Sequence, residues 1–183
     1  MRRAATAGRM ICMTEPAPAS GTKVLGEDFP VPVDDRYFED YQPGSVYEYG
    51  YITVSEAEIL EFARAFDPQP IHVDPQAAAR GPFGGLIASG WHTASMAMRL
   101  IVSHYLSRVG SLASPGIDEL RWPAPLRPGD TIRAKVTIVE ARRSRSKPDR
   151  GLVRTHVELI TQNGDTVLTL TAMNLIRARH PAA

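Results

Sequence analysis

AFDPQPIHVD, residues 65–74, sets an acid and an imidazole five positions apart around two prolines, directly after a helical pattern. Pro68 and Pro70 lack backbone donors and hold φ near roughly −65°. Each pushes its predecessor, Asp67 and Gln69, out of the α region, so a helix entering this stretch stops near Phe66. Five extended residues span up to roughly 16 Å, and Asp67 and His72 share one small molecule only where the loop folds back. The prolines make such a bend stiff and lower its entropic cost. Imidazole titrates near neutrality, and a carboxylate beside it can orient it or exchange a proton with bound water. A plainer reading makes Asp67 a turn cap and His72 a satisfied polar residue; the pair alone leaves both readings open.

Upstream, SVYEYGYITV, residues 45–54, is dense in aromatic and β-branched residues and reads as a first strand. Ser55 and Glu58 then form a capping-box pattern. A helix follows over 56–66, with Ile59, Phe62, Ala63 and Phe66 on its core face and Glu58, Glu61 and Arg64 solvated. Downstream, Asp74 and Pro75 are an N-cap and first-position pair for a short turn through Ala77, Ala78 and Ala79. GPFGGLIASGW, residues 81–91, leads to Ser89, which can cap a helix beginning at Trp91 and running to about Ser107. That helix is apolar over much of its circumference, which predicts extensive burial.

From about Gly116 period-two alternation replaces helical periodicity, as in Ile132, Ala134, Val136 and Ile138, and again in Val153, Thr155, Val157 and Leu159. Asn163 and Gly164 predict a two-residue hairpin turn. The expected architecture is α+β, a curved antiparallel sheet wrapped around a long central helix. So few helices leave sheet surface uncovered, and pairing two copies through their edge strands would cover it, which predicts a homodimer.

With 21 basic against 20 acidic residues the net charge is +1, giving no pull toward nucleic acid or anionic membrane. No apolar run is long enough to span a bilayer. Cys12 is the one cysteine, so no intrachain disulfide or thiolate cluster forms, and a cytoplasmic setting is compatible. The head, rich in Ala, Pro, Ser and Gly, lacks a secretory core and reads as a flexible tail over residues 1–30, with one domain over 31–180. Its Arg2, Arg3 and Arg9 permit an organelle-targeting reading, and Met10 and Met13 a later translation start.

FDPQPIHVD, GGLIASGWHTAS and RWPAPLRPGDTI, in this order, resemble the MaoC-like dehydratases, or R-specific enoyl-CoA hydratases, over roughly residues 37–176. The resemblance implies the hot-dog fold and reversible hydration of 2-enoyl thioesters of CoA, without cofactor or metal. It carries the catalytic pair onto Asp67 and His72 and the polarising backbone N–H onto Gly90, with Ser89 beside it. Gln69 departs from the usual Asn; it keeps an amide one methylene longer. Gly90 is expected to let substrate approach closely. Trp122, the neighbouring prolines and the 127–130 turn are expected to shape the mouth of the acyl pocket, and His92 and His104 to be helix residues that satisfy neighbours. Arg143 and Arg145, in the basic run 142–150, are candidate contacts for the CoA phosphates. A hot-dog thioesterase and a non-catalytic acyl-thioester-binding subunit remain the competing readings.

Overall fold

Six antiparallel strands form one sheet in the order β1-β2-β4-β5-β6-β3. The computed structural model describes residues 22–180. Most of the expected tail, Cys12 included, lies outside the described residues. The strands are β1 (Lys23–Leu25), β2 (Val46–Thr53), β3 (Ser111–Arg121), β4 (Thr131–Arg143), β5 (Arg150–Thr161) and β6 (Thr166–Arg177). Between β2 and β3 lie α1 (Glu56–Phe66), α2 (Pro70–Val73), α3 (Pro75–Arg80) and α4 (Gly90–His104).

The alternation that announces β4 and β5 is the burial alternation itself, every second residue lying inside along β5. Met96, Ala97, Leu100 and Ile101 of α4 share one core with Ile132, Ala134, Val136 and Ile138 of β4 and with Leu168, Leu170 and Ile176 of β6. The expected α+β architecture is thus present. At α1 the capping box forms reciprocally: Ser55 Oγ accepts from Glu58 N at 3.2 Å and Glu58 Oε2 accepts from Ser55 N at 2.9 Å. Ser55→Ala is expected to cost about 1 kcal/mol, read as a lower urea midpoint at unchanged slope.

Five expectations need correction. Phe66, expected on the core face of α1, is 74% exposed. The tail ends earlier than residue 30, because Lys23–Leu25 pairs with β2 and Phe29 is buried against Tyr41 and Tyr47. A three-residue strand is too short to show periodicity; it is held by its partner and by the Phe29 anchor. The β5–β6 hairpin has a three-residue loop, since Thr161 N donates to Asp165 O and Gly164 N donates to Thr161 O. Only Gly164 takes positive φ, at 89°, whereas the two-residue turn needs it at both central positions. Helix α4 stops at His104 and buries one stripe only, leaving Trp91, Met98 and Val102 exposed. A helix lying on one sheet face has an outer side whatever its composition. Finally, His92 and His104 meet neighbours by stacking, on Phe62 and Tyr49, while His92 Nδ1 and His104 Nε2 make no hydrogen bond among the described residues.

Candidate active site

Helix α1 ends where Pro68 dictates, and Asp67 is its C-cap with φ −150° and ψ 67°. The chain then folds back through Gln69 N donating to Asp67 O at 2.8 Å. Pro70 opens α2 from the first helical position, where its missing N–H costs nothing. This single turn, which periodicity could not reveal in four residues, aims His72 at Asp67, with Nε2 3.6 Å from Asp67 Oδ2.

His72 is buried, 5% exposed, and its Nδ1 lies 2.9 Å from the Ile87 carbonyl. A carbonyl only accepts, so Nδ1 carries the proton and donates it. In the neutral ring Nε2 then presents its lone pair toward Asp67. Asp67 accepts from Ser89 Oγ on Oδ2 and from Gln69 Nε2 on Oδ1, both at 2.7 Å. The Ser89 hydroxyl first, then the Gln69 amide and the nearby imidazole, hold the Asp67 carboxyl below its ordinary range, against a smaller opposing effect of burial. Gln69 therefore braces the acid despite its extra methylene. Because these donors favour the ionised form, removing one raises the Asp67 pKa. Ser89→Ala is expected to raise the Asp67 pKa, read by NMR titration of its carboxyl carbon; an unmoved titration would show that Ser89 does not act on this carboxylate.

Ser89 is also the N-cap of α4, accepting from Trp91 N at 3.3 Å. The extended strip before the helix is fastened on two sides. Toward the pair, Ile87 N donates to Ile71 O, Ile87 O holds His72 and Ser89 holds Asp67. Toward the opposite wall, residues 122–127, Phe83 O accepts from Arg127 Nη2, Ala88 N donates to Leu126 O and Gly90 O accepts from Trp122 Nε1. Between pair and wall lies a cavity of about 360 Å³ lined by Asp67, Gln69, His72, Ile87, Gly90 and Trp122 among others. Trp122 and Pro125 thus do line the pocket as expected.

Trp122 demands glycine at position 90, since a Cβ there would stand 2.6 Å from the indole. Arg143 and Arg145 do not line the cavity beside Asp67 and His72. Strand β4 starts five residues after Leu126 and runs thirteen residues, about 40 Å along the sheet at roughly 3.3 Å each, to Arg143. There Arg143 donates to Glu39 and to the Pro148 and His180 carbonyls. Burial acts to raise the Glu39 pKa, yet the Arg179 and His180 backbone N–H groups and the Arg143 guanidinium outweigh it and lower it to about 2. A basic run fixes a sign of charge, and its position depends on where the hairpin ends.

The MaoC like domain family matches residues 40–162. The 3-hydroxyacyl-thioester dehydratase Z of Mycobacterium tuberculosis is 40% identical over 91 residues, 49% of this chain and 60% of that protein. This chain therefore spans less than two thirds of the length of that relative. The 3-hydroxybutyryl-CoA dehydratase of Methylorubrum extorquens is 33% identical over 109 residues, 57% of this chain and 64% of that protein. A solved MaoC-like dehydratase of Rhodospirillum rubrum superposes with a TM-score of 0.74 at 38% identity, over 79% of this chain and 99% of its own. The fold is the hot-dog fold, and with the family matched over most of its length this chain belongs to the MaoC-like domain family.

Proposed function

We propose that this protein is a hydratase/dehydratase that interconverts 2-enoyl and (3R)-3-hydroxyacyl thioesters, those of CoA in particular. The observation that carries the reading is the His72 ring, locked by the Ile87 carbonyl so that Nε2 and the Asp67 carboxylate face one cavity beside the N-terminus of α4. The two MaoC-family relatives named for dehydrating 3-hydroxyacyl thioesters support it.

In the dehydration direction His72 Nε2 takes the proton from C2 of the substrate. The released electron pair forms the C2–C3 double bond, the C3–O bond breaks, and the departing hydroxyl takes the proton back from Nε2 to leave as water. Hydration is the reverse, so one group serves as base and then acid on one face, as syn addition requires. Asp67, held ionised by Ser89 and Gln69, is poorly suited to carry that proton. It accepts a hydrogen bond from the hydroxyl or water and balances the transient imidazolium. Negative charge building on the thioester oxygen faces the Gly90 N–H, at the positive end of a fifteen-residue helix. Neither a cofactor nor a metal enters these steps.

The working unit of this reading is a cytoplasmic homodimer. Strand β3 is an eleven-residue edge with one neighbour, Ile117 on it is exposed, and α4 adds Met98 and Val102. The open ladder side of an edge this long is a surface a second copy can pair with. Mixing the protein with crotonyl-CoA is expected to remove the enoyl absorbance without releasing thiol. Thiol release would indicate a thioesterase instead, and no reaction across a panel of chain lengths would favour a binding subunit.

A further inference from the structure

We propose that Trp122 is a positioning residue of the site: it holds the Gly90 peptide so that the Gly90 N–H faces the thioester carbonyl. The inference rests on the hydration reading above. Trp122 Nε1 donates to Gly90 O at 2.8 Å, and the indole lies flush against the Gly90 Cα, leaving no room for a side chain. Trp91 packs edge-on against the same ring, with centroids 5.7 Å apart. The second tie, Ala88 N to Leu126 O at 2.8 Å, comes from the same wall. The two ties stand on either side of Ser89, whose hydroxyl holds Asp67.

The Gly90 N–H shares its rigid peptide plane with the Ser89 carbonyl, which accepts from Thr93 N and Thr93 Oγ1 and so fixes that plane to the first turn of α4. The Trp122 bond to Gly90 O fixes that first turn to the opposite wall, so the two together set where the N–H points. Trp122 is half-exposed, so the bond is not needed to satisfy a buried indole; water could serve that N–H. A donor aimed at developing charge loses much of its effect when displaced by an ångström, which makes a clamp at this point consequential.

The test compares wild type with Trp122→Phe, which keeps a ring and loses the donor, and Trp122→Ala. The probe is an aminoaryl enoyl-CoA, whose absorption moves to the red when its carbonyl is polarised. Expected are a red shift with wild type that shrinks with Trp122→Phe, and a kcat on crotonyl-CoA lower by roughly tenfold to a hundredfold at little-changed KM. Trp122→Ala should also remove the penalty of Gly90→Ala, because the indole that a Cβ meets is gone. An undiminished red shift in Trp122→Phe, or a kcat that falls only as the melting temperature falls, would overturn the proposal. A wild type that red-shifts the probe but turns over no enoyl thioester would defeat the hydration reading and leave the clamp supported.

Discussion

Replacing His72 by Gln is expected to lower kcat on crotonyl-CoA by about three orders of magnitude, with the melting temperature close to that of wild type. Gln can still donate to the Ile87 carbonyl that the imidazole Nδ1 now faces at 2.9 Å, so the buried pocket stays satisfied. It has no basic atom where Nε2 stands, so the C2 proton has no acceptor within reach. Asp67→Asn should cost less, roughly a hundredfold, and for a different reason. The carboxylate accepts on both oxygens, from Ser89 and from Gln69. An amide offers one oxygen, so one donor is left facing an NH₂ group, and the charge that balances the imidazolium is lost. Stopped-flow loss of enoyl absorbance measures both variants. If Asp67→Asn and His72→Gln both kept wild-type kcat, the proposed reaction would be wrong at its centre.

The two variants also separate their roles. A residue that carries a proton and a residue that orients water respond differently to pH. A carboxyl held below its ordinary range stays ionised across the neutral range, so Asp67→Asn should lower kcat/KM by a similar factor at every pH there. A loss confined to part of that range would make Asp67 a carrier of the proton.

Much of this site could be read from local chemistry. Pro68 ends a helix wherever it stands, Ser55 and Glu58 cap one, and Ser89 before a run of helix formers caps another; each needs only near neighbours. The elements that escaped depend on partners distant in sequence. The tautomer of His72 is set by the carbonyl of Ile87, fifteen residues on. The need for glycine at position 90 is set by an indole thirty-two residues away, which no local pattern reports. Periodicity shows that α4 is apolar over much of its circumference, yet which stripe meets the sheet is decided by packing. The basic run 142–150 begins in the last residues of β4, a placement that strand length decides and composition does not report.

Arg36, which drew no notice in the sequence, should carry the largest single contribution to stability outside the apolar core. Arg36→Met is expected to lose about 2–6 kcal/mol, read as a lower urea midpoint at unchanged slope. The side chain is 2% exposed, with its guanidinium 3.6 Å from the centre of the Phe29 ring. Nε and Nη2 both donate to Val31 O, at 3.0 and 2.6 Å, while Nη1 donates to His104 O at 3.0 Å and Tyr105 O at 2.7 Å. The last two are carbonyls at the C-terminus of α4, which lack intrahelical partners and face the negative end of the dipole. Tyr105 O keeps the Tyr41 hydroxyl when Arg36 is removed, so Val31 O and His104 O are the groups orphaned. Each unsatisfied carbonyl costs about 1–3 kcal/mol, and Met fills the volume, which keeps a cavity from adding to the loss. Arg36→Lys should fall between, since an ammonium supplies charge without the planar fork that reaches Val31 and the helix end together. A loss below about 1 kcal/mol in Arg36→Met would show that water replaces the guanidinium. Because Arg36 anchors the end of α4 opposite Ser89 and Gly90, Arg36→Met should lower the melting temperature while the folded fraction keeps its kcat in the cold. A kcat lost together with the stability would instead mean that the two ends of the helix move as one.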